Sequence, residues 1–108
     1  MKHFFIVNPV AGKGKALALI PVIQQYCEEK KLAYEVIITK YPGHATEIAK
    51  NQSSLQTTRF YSVGGDGTLN EVLNGMAGSG SSLACIPSGS GNDFIKSVTS
   101  LAELKQLI

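Results

Sequence analysis

Charge of one sign, cysteine and long hydrophobic runs are all scarce in this 108-residue chain. The net charge of +2 is too small for the electrostatic footprint of a nucleic-acid binder, so no nucleic-acid partner is expected. The two cysteines, Cys27 and Cys85, lie in apolar stretches. They read as small buried hydrophobes, which fits a reducing, cytoplasmic compartment. No apolar run approaches the roughly 18 residues that cross a membrane. The amino terminus is no signal peptide either: its apolar block is only Phe4 to Val7, and Asn8-Pro9 ends it. No His, Cys or acidic cluster has metal-ligand spacing, and no Ser-His-Asp set stands out. What remains is ordinary globular composition, 44% hydrophobic and 17% charged, in one domain able to bury one core. The 11 glycines make backbone-mediated contacts plausible.

Four short runs rich in β-branched or aromatic residues read as strands, mostly buried on both faces. They are Phe4–Val7, Tyr34–Ile38, Phe60–Val63 and Leu83–Ile86. Helical patterns lie between them. Ala16, Ile20, Ile23 and Cys27 share a face over about 15–31, with Pro21 expected to bend or restart the helix. Ala45, Ile48 and Ala49 mark a shorter helix at about 44–51. Leu69, Val72, Leu73, Met76 and Ala77 give the sharpest amphipathic stripe. Ser100 to Glu103 has the form of a capping box before a last helix. The polar stretch 51–58 reads as a solvated connection. Strands alternating with helices imply an open, parallel α/β sheet with flanking helices, and ligands in such sheets bind beyond the carboxyl ends of the strands.

Three glycine-rich loops follow three of the strands. They are Asn8-Pro9-Val10-Ala11-Gly12-Lys13-Gly14-Lys15, Gly64-Gly65-Asp66-Gly67-Thr68 and Pro87-Ser88-Gly89-Ser90-Gly91-Asn92-Asp93. Each leads toward an expected helix start, an arrangement suited to anions because amides point outward and the helix dipole favours negative charge. Neither a GxxxxGK[ST] loop nor a complete GxGxxG fingerprint exists, so a P-loop NTPase and an ordinary dinucleotide dehydrogenase are unsupported.

Asp66 between glycines has two roles open to it. It can make an Asx-type turn, or it can work at a phosphate site by bridging through Mg²⁺ and water or by orienting a hydroxyl. Glu71 in the next helix is already explained by the dipole. Lys13 and Lys15 fit either solvated loop charges or phosphate contacts, and Ser90 either a turn or a phosphate. His44 reads as a surface residue at a helix start.

Taken together, the three loops resemble the diacylglycerol kinase catalytic domain family, which includes bacterial lipid kinases and sphingosine kinases. The central run Gly64-Gly65-Asp66-Gly67-Thr68-Leu69-Asn70-Glu71-Val72-Leu73-Asn74-Gly75 is its most specific carrier. The resemblance implies an ATP- and Mg²⁺-dependent kinase acting on a lipid hydroxyl, with a nucleotide site in an α/β domain folded like NAD kinases and phosphofructokinases. Transferred by position, the nucleotide-binding residues are Asn8, Pro9, Val10, Ala11, Gly12, Thr39, Gly65, Asp66, Gly67, Thr68, Leu69, Asn70, Glu71 and Ser90, with Asp66 catalytic. Gly89-Ser90-Gly91 stands where the family usually has threonine in its third motif, as in sphingosine kinases. The implied partners are nucleotide and lipid, with peripheral membrane contact, although the helices show no basic amphipathic face. Family members carry a second, β-rich domain that supplies part of the acceptor site, the usual base and a magnesium site. Residues 1–108 contain none of it, so a truncated first domain is expected, with self-association through the apolar face such a domain would cover. A soluble-substrate kinase of the NAD kinase type and a non-catalytic nucleotide-binding domain are the competing readings.

Overall fold

A computed structural model describes residues 2–55 and 58–87. Strand β1 (Lys2–Val7) is followed by a 3₁₀ turn (Ala11–Gly14), α1 (Lys15–Ala18) and α2 (Ile20–Glu29). Then come β2 (Tyr34–Ile38), α3 (His44–Leu55), β3 (Thr58–Gly64), α4 (Asp66–Met76) and β4 (Ser82–Pro87). All pairings are parallel and the sheet order is β2-β1-β3-β4. The chain steps outward from β1 to β2, then returns past β1 to β3. That reversal puts the connecting helices on opposite faces, as crossovers of a single hand require.

Side-chain alternation along the strands builds the two cores. Phe5, Val7, Tyr61, Val63 and Ile86 face α1 and α2, where Ala16, Leu19, Ile23 and Cys27 cover them. Phe4, Ile6 and Phe60 face α3 and α4, against Ala45, Ile48, Ala49, Val72 and Met76. Pro21 sits in the first turn of α2, where a missing N–H costs nothing, so the expected restart falls between Ala18 and Ile20.

Several expectations are corrected. Residues 51–55 belong to α3 rather than to a connection. Serines reconcile that polar end with a helix: the Ser53 and Ser54 hydroxyls donate to the carbonyls of Lys50 and Asn51, three residues back. β2 lies at an edge with Glu35 and Ile38 exposed, so it is not buried on both faces. Cys85 is exposed, on a strand that among the described residues pairs on one side only, with β3; Cys27 is buried as expected. On α4 the buried face is Thr68, Val72, Gly75 and Met76, which leaves Leu73 46% exposed. Gly75 turns that face toward α3: a Cβ there would lie 2.4 Å from the Thr46 carbonyl oxygen and 2.8 Å from the Ala49 Cβ. The Ser90 loop and the helix expected after Ser100 lie outside the described residues.

Candidate nucleotide site

The order in which the chain adds strands reverses between β1 and β3, and that is where the loops converge. Asn8 leaves β1 with its N–H bonded to the Val63 carbonyl at 3.0 Å. Its Oδ1 accepts the Val10 N–H at 3.2 Å and its carbonyl accepts the Ala11 N–H at 3.2 Å, closing a turn above the strand end. On the other flank the Thr39 N–H donates to the Val7 carbonyl at 2.8 Å. Gly64 ends β3 beneath Thr68 and Asn8: a Cβ at Gly64 would lie 2.6 Å from Thr68 Oγ1 and 3.4 Å from the Asn8 Cβ. Asn8, Gly64 and Thr68 therefore meet at one point on the switch.

The neighbouring glycines are different. Gly65 is extended backbone at φ −99°, and Gly67 lies in the first turn of α4. Both are exposed, and a Cβ on either would meet nothing within 4 Å. Asp66, the first residue of α4, is exposed, and its carboxylate has no hydrogen-bond partner among the described residues. No side chain caps this helix, so its first amides face open space.

A cavity of about 330 Å³ opens between the β1 loop, the β2 loop and α4. Of the residues expected at a nucleotide site, Asn8, Pro9, Val10, Thr39, Thr68 and Glu71 line it. Gly65, Asp66 and Gly67 stand at the exposed start of α4, outside the lining. Leu69 is half-buried and Asn70 exposed, both also outside it. Ala11 and Gly12 open the 3₁₀ turn, again outside the lining, where Gly12, Lys13 and Gly14 run consecutively at φ 62°, 58° and 91°. A lysine at a left-handed position costs about 1 kcal/mol, so the turn is held against local preference. Lys13 and Lys15 are both exposed. The four-residue α1 that follows is too short to present a developed dipole.

Four lining residues had not been singled out: Lys40, Tyr41, Pro42 and Ala45. The Tyr-Pro-Gly turn after β2 was their one sequence signal. Tyr41 stacks on His44 with centroids 4.4 Å apart, and its hydroxyl donates to Glu47. That bond, with burial and the Glu47 charge behind it, raises the phenol above its ordinary range. His44, the first residue of α3, accepts the Lys40 N–H through Nδ1 at 2.9 Å. Among the described residues no group of three or more His, Cys, Asp or Glu is placed to hold a metal ion.

The sheet is a doubly wound α/β sheet with open glycines at its switch point, the place where ligands bind in such sheets. The profile of the diacylglycerol kinase catalytic domain matches residues 2–108, and the chain belongs to that family. It is 35% identical to YtlR of Bacillus subtilis (strain 168), provisionally named a lipid kinase, over 99% of this chain and 38% of that one. With sphingosine kinase 1 of Mus musculus the identity is 31% over 94% of this chain and 29% of that one. A crystal structure titled as a diacylglycerol kinase from Bacillus anthracis superposes with a TM-score of 0.66 at 28% identity, covering 96% of this chain and 38% of that one. The chain thus spans well under half the length of these relatives.

Proposed function

We propose that this chain is the nucleotide-binding part of an ATP-dependent lipid kinase, which transfers a phosphoryl group to a lipid hydroxyl such as that of diacylglycerol or a sphingoid base. The observation that carries the reading is the open space above Gly65 and Gly67. Alanine at Gly67 would favour the helix by about 1 kcal/mol and would meet no obstacle. A glycine kept there serves something that approaches the backbone from outside, and the exposed amides of a helix start favour an anion.

Phosphoryl transfer depends mainly on positioning and on charge stabilisation. Gly65, Gly67 and the amides of the first turn of α4 would hold phosphate oxygens, while Asn8 and Thr39 fix the walls of the cavity. Mg²⁺, when bound with the nucleotide, neutralises charge on the phosphates. A bare carboxylate would repel a phosphate, so Asp66 would hold that cation or orient the acceptor hydroxyl. The same reading places the protein in the cytoplasm, in peripheral contact with the membrane that holds its lipid.

Calorimetric titration of MgATP into the chain tests the donor site. Binding is expected in the wild type. Gly65→Val and Gly67→Val should lower affinity by at least about tenfold while the melting temperature holds, because each Cβ blocks backbone approach. Absence of wild-type binding, or a melting collapse with affinity retained, overturns the reading.

A further inference from the structure

Two chemically different walls face each other across the cavity. One is α4 with Thr68 and Glu71; the other is the β2 loop with Tyr41 and Pro42. The proposed phosphate recognition lies beside the first, at the exposed start of α4. Nothing in it explains an aromatic ring on the second.

Tyr41 is held in place to an extent unusual for a surface residue. One face of its ring lies on His44, at 4.4 Å between centroids and 19° between planes. His44 is itself fixed by the Lys40 N–H. The Tyr41 hydroxyl is tied to Glu47, one helical turn into α3. Even so, the side chain is 51% exposed and lines the cavity. Its second face is therefore presented, already oriented, to whatever enters. A fixed flat ring suits a planar aromatic partner, and little ordering entropy is lost when that partner arrives. Pro9, Val10 and Ala45 add apolar surface around the same space.

We propose that Tyr41, supported by His44, is the stacking platform for the purine base of the nucleotide. This rests on the donor-site reading and adds to it the residue that distinguishes a nucleotide from a bare polyphosphate. The alternative occupant, a lipid acyl chain, has no preference for a flat ring over any other apolar side chain.

The chain contains no tryptophan, so Tyr41→Trp introduces a single emitter at the platform. MgATP should quench it saturably, whereas magnesium triphosphate should bind without quenching. By calorimetry, Tyr41→Ala should weaken MgATP by about tenfold, the scale of one base–aromatic stack, and leave triphosphate within about twofold. Tyr41→Phe, which keeps the ring and loses the Glu47 bond, should stay within about threefold of wild type. Three results overturn the proposal: MgATP affinity unchanged in Tyr41→Ala, equal losses for ATP and triphosphate, or quenching by diacylglycerol micelles but not by MgATP. If wild type binds MgATP and Tyr41→Ala binds it equally, only the platform falls. If wild type binds neither MgATP nor triphosphate, the donor site falls with it.

Discussion

Gly67 and Gly75 lie on the same helix and resist substitution for opposite reasons. At Gly75 a methyl group would sit against the Thr46 carbonyl and the Lys50 amide, 2.4 and 3.0 Å away, and backbone cannot rotate aside. Gly75→Ala should therefore cost about 1–3 kcal/mol of stability by forcing α3 and α4 apart. Gly67→Ala meets nothing and should stabilise by up to about 1 kcal/mol. Urea denaturation of the two variants checks both signs, and a destabilised Gly67→Ala would contradict the open-space argument. Asp66 belongs with Gly67. Its carboxylate is exposed and without a partner among the described residues, so Asp66→Asn gives up only a helix-dipole contribution of about 0.3–1 kcal/mol. The expected outcome is a near-unchanged melt together with loss of phosphoryl transfer by the kinase that carries this chain. Wild-type turnover in that variant would remove Asp66 from the chemistry.

At the scale of elements, the amino-terminal ends of three strands are tied by one polar cluster. Arg59 on β3 donates to the Tyr61 hydroxyl at 3.0 Å and to Ser82 on β4 at 3.3 Å, and Tyr61 is bonded to His3 Nδ1 on β1 at 2.7 Å. Burial pushes the Tyr61 phenol up against the opposing pull of Arg59. The phenol accepts from Arg59, and its own proton is free to go to Nδ1 of a neutral His3 imidazole. Burial first and the Arg59 charge second lower His3 below its ordinary 6.5. The unfolded chain then binds the extra proton first as pH falls. Stability from this group is complete above pH 6.5 and declines below it until the lowered folded value is passed. Denaturant midpoints from pH 7.5 to 5 should show that decline, and His3→Gln should flatten it; equal slopes in the two proteins would dissociate His3 from the effect. None of this was legible beforehand, because strand register sets the cluster and no local pattern encodes it. The strands themselves were legible, since β-branched and aromatic residues crowd 4–7 and 60–63. The carboxyl end of α3 was hidden by serines that bond back onto their own helix, and Cys85 by an edge that an apolar run cannot announce.

For the whole molecule, the order β2-β1-β3-β4 decides which loops share an edge. Two glycine-rich loops distant in sequence meet because β1 and β3 are neighbours, and the cavity opens beside that switch. Asn8, Pro9, Val10, Thr39, Thr68 and Glu71, expected at a nucleotide site by resemblance, all line this cavity, and the alternation of strand and helix already implied their common edge. Tyr41 was not foretold, because its placement depends on His44 stacking against it from the start of α3. The described residues bring the proposed donor-side groups together, and the acids around them are Asp66, Glu71 and Glu47; on that proposal Asp66 faces the phosphates, and Glu47 is tied to the Tyr41 hydroxyl. Among the described residues no further acid stands ready as a base for a lipid hydroxyl, a contribution typically worth about 10²–10⁴-fold. Holding the acceptor against the donor is worth more still, up to effective molarities of about 10⁵–10⁸ M. The cavity is also open to water, which weakens the electrostatics that phosphoryl transfer relies on. We therefore expect the 108-residue chain to bind MgATP but to transfer no phosphate to diacylglycerol or sphingoid bases in mixed micelles. Radiolabelled ATP with each lipid measures this directly. Robust turnover by the chain alone would show that these residues also hold the acceptor, and the division of labour argued from the cavity would have to be abandoned.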